Sequence, residues 1–124
     1  MICADTSSFI AFSRGERERD VELVAQALMH RLLALAPVSV AELLSDPGLA
    51  PSMEKVVLGV PRLEITPGYW ERAGKLRAKL IRHKFRPKIA DTLIAQSCLD
   101  HRVPLVTRDE DFIPFQKLAG LQLL

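Results

Sequence analysis

"MICADTSSFIAF", residues 1–12, places the carboxylate of Asp5 directly after the apolar residues Ile2 to Ala4. The apolar run predicts a short buried strand, and the apolar residues from Phe9 onward recur at helical spacing. A charge that enters an apolar core costs several kcal/mol unless a partner compensates it. Asp5 is therefore expected either to cap the following helix or to bind a cation.

The rest of the chain alternates predicted helices with short apolar strands. Helices are predicted over residues 21–35, 53–58, 69–83 and 89–101. Further strands are predicted to end near Val38, to cover "RLEIT" (62–66), to span Leu105 to Val106, and to close the chain in "GLQLL" (120–124). Ser39 and Glu42 have the spacing of a capping box. The alternation predicts an α/β fold in which helices cover both faces of a parallel sheet of about five short strands.

Length and composition favour one soluble domain over residues 1–124. Apolar residues make up 48% of the sequence, which predicts a packed core. Cys3 and Cys98 stand in apolar contexts without a CxxC pair, so we expect buried thiols in a reducing, cytoplasmic environment. No apolar run approaches the roughly 20 residues of a membrane span, and the first residues do not resemble a signal peptide.

Four acids are predicted at or near the carboxyl edge of the sheet, although they are far apart in sequence: Asp5, Glu42, Asp91 and Asp109. Converging carboxylates repel each other and raise each other's pKa. A hard divalent cation removes that conflict, and Mg²⁺ or Mn²⁺ prefers carboxylate oxygens. Three of the acids also have an ordinary interpretation: Asp5 as a helix cap, Glu42 as a capping-box partner and Asp109 as part of a solvated turn. Asp91, between apolar neighbours on a helix, is harder to explain in this way.

Residues 72–88, "RAGKLRAKLIRHKFRPK", contain eight Lys and Arg residues and no acid. A solvated helix face would explain this segment equally well. Beside an acidic metal site, however, cations would offset the repulsion between carboxylates and phosphates. We therefore predict RNA-binding roles for Arg82, Lys84, Arg86 and Lys88. Phe85 is the one aromatic residue in this basic stretch, and base stacking cannot be predicted from it alone.

Four motifs, "ADTSSFIAF", "VSVAELL", "IADTLIAQSCLDHRVPLVT" and "TRDEDF", occur in an order that resembles the PIN-domain family. More narrowly, they resemble the VapC toxins of type II toxin–antitoxin pairs. The resemblance covers the whole chain and implies an α/β/α sandwich with a parallel sheet. It also implies a Mg²⁺- or Mn²⁺-dependent endoribonuclease that is inhibited by a VapB-like antitoxin and forms a homodimer.

Matched position by position, the resemblance implies a set of site residues. The catalytic acids would be Asp5, Glu42, Asp91 and Asp109, and the metal ligands would be Asp5, Asp91 and Asp109. Supporting roles would fall to Thr6, Ser7, Thr107 and Asp111, and Asp111 competes with Asp109 as the fourth acid. The basic "RPK" before "IAD" departs from similar proteins and brings Lys88 close to the site. The apolar faces of "SSFIAF" and "VELVAQALMHRLL" would receive the antitoxin, unless they are ordinary core.

Two other functions were weighed against the ribonuclease. A catalytically silent PIN-like module would bind RNA or a partner without cleavage, but all four acids are present. A phosphatase with an aspartyl nucleophile would need a "DxDxT" motif after the first strand. The stretch "ADTSS" lacks the second Asp, which excludes that enzyme.

Overall fold

The first strand, β1 (Ile2–Ala4), lies in the middle of a three-stranded parallel sheet with the order β2-β1-β3. Cys3 pairs with Ala34 of β2 on one side and with Leu105 of β3 on the other. The computed structural model describes residues 1–124. Its elements in chain order are β1, α1 (Thr6–Ser13), α2 (Arg19–Met29), β2 (Leu33–Ala34), α3 (Pro37–Leu44), α4 (Pro51–Gly59), α5 (Tyr69–Arg82), α6 (Ile89–His101), β3 (Leu105–Val106), a 3₁₀ turn (Glu110–Phe112) and α7 (Ile113–Ala119).

Helices cover both faces of this sheet. Successive strand residues point to opposite faces, so Cys3 and Leu105 join one core while Ala4 and Val106 join the other. The first core is completed by α5, α6 and α7, and the second by α1, α2, α3 and α4. The predicted α/β fold with a parallel sheet between helical layers is confirmed. No helix is both long and apolar enough to cross a membrane.

The sheet has three strands where about five were predicted. "RLEIT" contributes a single parallel bridge from Arg62 to Leu35, and "GLQLL" contributes one from Leu123 to Leu105. In "RLEIT" only Leu63 is buried, so there is no apolar face to support a longer strand. Pro104 has no amide hydrogen to donate to the sheet, and β3 begins at the next residue.

The second strand begins earlier than the sequence predicted. Helix α2 ends at Met29, and β2 occupies Leu33–Ala34, within the segment 21–35 that was predicted as helix. Helix α3 begins at Pro37, whose fixed φ suits the first helical position, so the strand predicted to end near Val38 is wrong. The predicted capping box is also wrong. Ser39 lies inside α3, where its buried hydroxyl has no hydrogen-bond partner.

Candidate active site

Asp5 lies where β1 passes into α1, and its side chain is 4% exposed. Its Oδ2 atom accepts hydrogen bonds from Ser7 Oγ at 2.6 Å and from Thr107 Oγ1 at 2.9 Å. The carboxylate makes no capping hydrogen bond to α1, although it occupies the cap position. Burial raises the pKa of Asp5 more than the two hydroxyls lower it. Asp5 is thus an oriented, buried acid rather than a helix cap.

Asp91 is half-buried in the first turn of α6 and faces the other acids. Desolvation and repulsion from the charges of Asp5 and Asp109 raise the pKa of Asp91 to about 6, against an opposing effect of Lys88. Repulsion of this kind acts between carboxylates that lie close to one another, and oxygens of Asp91 and Asp109 lie within 4.8 Å. The structure therefore brings together acids that are separated by most of the chain.

Asp109 and Asp111 both reach Asp91. Ligand oxygens of Asp91, Asp109 and Asp111 all lie within 4.8 Å of one another. Asp109 Oδ1 accepts the amide of Asp111 at 2.9 Å, and the amide of Asp109 donates to Thr107 Oγ1 at 3.0 Å. Asp5 lies outside this group of three carboxylates, although the charge of Asp109 also raises its pKa. The turn after β3 thus offers two acids, where the sequence left a choice between them.

Glu42 is exposed on α3 and does not belong to the group of three carboxylates. Its Oε1 atom accepts a hydrogen bond at 2.8 Å from the hydroxyl of Thr6, the residue that follows Asp5. Thr6 is buried, so this hydrogen bond fixes Glu42 beside the first acid. A supporting hydroxyl therefore holds each of the two acids at this end of the sheet.

Arg108 was not predicted from the sequence. It makes two hydrogen bonds to Asp20, at 2.8 and 3.1 Å, and one to Glu16 at 3.0 Å. Asp20 also accepts Ser8 Oγ at 2.8 Å, and Arg108 lowers the pKa of Asp20. Because Arg108 stands between Thr107 and Asp109, this network ties the acidic turn to the start of α2. Its partners lie 88 and 92 residues away in sequence, and no spacing or motif signals such a pair.

Two concave surfaces adjoin the acids. The acid cleft, of about 170 Å³, has Asp91, Glu110 and Asp111 among its lining residues together with Arg86 and Lys88; it is completed by Leu80, Phe85, Pro87 and Pro114. The cationic groove, of about 490 Å³, is lined by Arg77, Ile81, Lys84, Phe85 and Arg86. Three of the predicted RNA-binding residues therefore line these surfaces. The fourth, Arg82, is exposed at the end of α5 and lines neither of them.

The donor set at the acids suits a hard divalent cation. Three carboxylates within 4.8 Å supply oxygen ligands only, and no His or Cys joins them. Oxygen-only sites favour Mg²⁺ or Mn²⁺ over softer metals. Asp91, Asp109 and Asp111 would hold such an ion, and Asp5 adds a fourth negative charge nearby.

The family model that describes the PIN domain matches residues 2–120. The chain belongs to the PIN domain family. The family resemblance predicted from the four motifs is confirmed. No curated protein sequence matches this PIN domain.

Solved structures share the fold of this PIN domain over nearly its whole length. VapBC2 from Rickettsia felis, bound to a DNA fragment from its promoter, has a TM-score of 0.74 at 18% identity and covers 100% of this chain and 98% of that chain. DNA-bound VapBC from Salmonella typhimurium has a TM-score of 0.71 at 18% identity, with 100% and 98% covered. VapBC-5 from Mycobacterium tuberculosis has a TM-score of 0.67 at 20% identity, with 99% and 96% covered.

Proposed function

We propose that this PIN domain is a metal-dependent endoribonuclease and the toxin of a VapBC-type pair. The observation that carries the proposal is the group formed by Asp91, Asp109 and Asp111, whose oxygens lie within 4.8 Å. Desolvation, together with repulsion from the neighbouring acids, raises the pKa of Asp91 to about 6, and a divalent cation would relieve that repulsion. Metal-assisted hydrolysis of phosphodiester bonds is the chemistry that such a site supports best.

The side chains around the acids have separable roles in this proposal. Bound Mg²⁺ or Mn²⁺ would lower the pKa of water and stabilise negative charge on the phosphate. Asp91 and Asp109 would hold the ion with Asp111, while Asp5 contributes charge. Ser7 and Thr107 fix the orientation of Asp5 through their hydrogen bonds. Glu42, held by Thr6, would orient a water molecule beside the ion.

The substrate class follows from the charge around the acids. Arg86 and Lys88 line the acid cleft, and Lys84 lies in the adjoining cationic groove. Of the eight cations in residues 72–88, only Arg72 forms an ion pair with a carboxylate. Arg77 and Lys79 donate to backbone carbonyls, and the other five cations remain available for phosphates. We assign Arg82, Lys84, Arg86 and Lys88 to RNA binding. The choice of RNA over DNA as the substrate rests on the resemblance to VapC toxins.

The proposed partner is a VapB-like antitoxin, because the similar structures are VapBC complexes. Several apolar residues of α1 and α2, including Phe9 and Val24, are buried in the core, so they cannot receive it. Leu28 instead lines an open groove of about 520 Å³ together with Val56 and Val60 of the α4 region. The proposed antitoxin contact is therefore the outer side of α2 rather than its inner face. A homodimer is also part of this proposal.

Cleavage of total RNA by the purified chain tests the activity. The reaction would be run with Mg²⁺, with Mn²⁺ and with EDTA, alongside Asp91→Asn and a control, Asp46→Asn. Asp46 is exposed and caps a turn at Gly48 away from the acids. We expect discrete, metal-dependent cleavage that falls by about 100-fold or more in Asp91→Asn, because a metal-holding oxygen is lost. Asp46→Asn should retain full activity.

An absence of cleavage with both metals, by well-folded chain free of antitoxin, would contradict the nuclease. RNA binding without cleavage would then favour the silent module. Cleavage that persists in EDTA, or that survives Asp91→Asn, would contradict the metal site instead.

A further inference from the structure

Phe85 stands between the acid cleft and the cationic groove and lines both of them. Phe85 is 38% exposed, so part of this residue can contact a ligand. A ligand that extends from the groove into the cleft has to pass this ring.

The backbone holds Phe85 in place. Lys84 adopts the left-handed conformation with φ 71°, which ends α5 and turns the chain outward. The amide of Phe85 donates to Leu80 O at 3.1 Å, and the amide of Lys84 donates to Ile81 O at 3.0 Å. Arg77 Nε then donates to Pro87 O at 3.0 Å, which fixes the segment beyond the ring. Phe85 is thus a fixed platform rather than part of a loose loop.

Cations flank this platform on both sides. Lys84 and Arg86 lie in the groove and Lys88 in the cleft, and none of the three forms an ion pair with a carboxylate. A flat apolar face between unpaired cations fits a ligand with planar apolar groups between anionic ones. A nucleic-acid strand has this alternation of bases and phosphates.

We propose that Phe85 stacks an unpaired base of the RNA, next to the phosphate that reaches the acids, while Lys84, Arg86 and Lys88 follow the backbone. This inference rests on the proposed function and adds how the RNA contacts the protein beside the acids. Bases inside a duplex are already stacked and cannot lie on the ring, so Phe85 can stack only on an unpaired base. Stacking tolerates any base, which gives preference for unpaired structure rather than for sequence.

Binding measurements in EDTA test the proposal without cleavage. Fluorescence anisotropy would be recorded with a short single-stranded RNA, its duplex, and an abasic oligomer with the same number of phosphates. The variants are Phe85→Leu, Phe85→Trp and, as a control, Trp70→Leu. Trp70 is also an exposed aromatic residue on the surface, but it lies near the start of α5 and lines neither concave surface.

Phe85→Leu should weaken binding of the single strand about 5- to 100-fold, the loss expected when one base loses its stacking partner. The salt dependence of binding should not change, because no charge is removed. Phe85→Trp should retain affinity, and Trp70→Leu should behave as the unmodified chain. Affinity for the abasic oligomer should be the same in all four proteins.

Equal losses on the abasic oligomer and on the single strand would overturn the proposal, and so would unchanged binding in Phe85→Leu. This outcome is separate from the test of the nuclease. If the chain cleaves RNA but Phe85→Leu binds RNA as tightly as the unmodified chain, the proposed nuclease stands and the stacking site is wrong. If Phe85→Leu weakens RNA binding but the unmodified chain does not cleave RNA, the stacking site stands and the proposed nuclease is wrong.

Discussion

A single oxygen of Asp5 accepts hydrogen bonds from two hydroxyl groups that are far apart in sequence. Ser7 follows it by two residues, whereas Thr107 is 102 residues away. These hydrogen bonds favour the charged carboxylate, but burial disfavours it more, and the net effect is a raised pKa. The ionised form of Asp5 therefore lowers the free energy of unfolding of the metal-free protein. Ionised Asp91 also lowers the free energy of unfolding, since its pKa is raised to about 6.

The metal-free protein should lose stability as pH rises through the range in which these two acids ionise. A carboxyl group whose pKa is raised by folding binds more protons in the folded state, so for Asp91 the free energy of unfolding falls between about pH 4 and about pH 6. Asp91→Asn should remove part of this fall and raise the free energy of unfolding by about 1 kcal/mol at about pH 7, after allowance for solvent screening. Urea denaturation of both proteins in EDTA at several pH values measures this difference in the free energy of unfolding.

The variant should gain little below about pH 4, where Asp91 is largely protonated in both the folded and the unfolded chain. Added Mg²⁺ should reverse the ranking at neutral pH, because the ion binds the folded form of the unmodified chain more tightly. An advantage of Asp91→Asn that is the same at every pH would contradict the electrostatic explanation.

At the level of elements, three helices end on a cationic residue in the left-handed conformation. These residues are Arg31 after α2, Lys84 after α5 and Arg102 after α6, with φ values of 58°, 71° and 54°. After each, the next amide donates to a carbonyl five residues back, which satisfies part of the helix end. A positive charge suits a helix C-terminus, but a side chain with Cβ is strained in this conformation.

Replacement of Arg102 by glycine should therefore stabilise the protein. Arg102→Gly and Arg102→Ala both remove the charge, but only glycine relieves the strain. We expect Arg102→Gly to exceed Arg102→Ala by about 1 kcal/mol in the free energy of unfolding, net of the greater freedom of glycine in the unfolded chain. Urea denaturation of the two variants decides it, and an Ala variant of equal or greater stability would show that the conformation is not strained.

These helix ends also explain which elements could be predicted. β1, α5, α6 and β3 follow from their apolar patterns and occur close to where the sequence predicted them. β2 does not, because its apolar residues continue the helical spacing of the residues before them. The turn at Arg31 decides between helix and strand, and an arginine gives no signal for a left-handed turn.

At the scale of the whole molecule, the two edges of the sheet differ in charge. Asp5 and Asp109 follow β1 and β3 at the carboxyl edge, whereas Arg31 and Arg102 precede β2 and β3 at the other edge. The unpaired cations of residues 84–88 adjoin the acids through the acid cleft. Position relative to the acids, rather than net charge, should therefore decide where RNA binds.

Simultaneous replacement of Arg82, Lys84, Arg86 and Lys88 by Ala should weaken RNA binding and its salt dependence together. Each phosphate contact to a single strand contributes about 0.7 to the slope of log affinity against log salt, so up to four lost contacts lower it by as much as about 3. Replacement of Arg31, Lys55 and Arg102 by Ala is the control, since Arg31 and Lys55 line the groove on α2 and Arg102 lies at the far edge. Titrations at several salt concentrations measure the slope, and equal losses in both variants would contradict a local RNA surface.

Parallel topology allowed the acidic site to be predicted from residues far apart in sequence. Strand ends meet at one edge, so Asp5, Asp91 and Asp109 were expected near each other, although their roles as ligands stay a prediction. Which carboxylates come closest depends on side-chain reach, and Asp111 joins the group where Asp5 was expected. The network of Arg108 with Asp20 follows no periodicity and could not be predicted.

The position of β1 between β2 and β3 has a consequence for biosynthesis. The ribosome makes Asp5 before β3, Thr107, Asp109 and Asp111. A nascent chain that has not reached β3 has an unpaired edge on its central strand and lacks two of the three clustered carboxylates. Translation that stalls or terminates early therefore yields fragments without the acidic site.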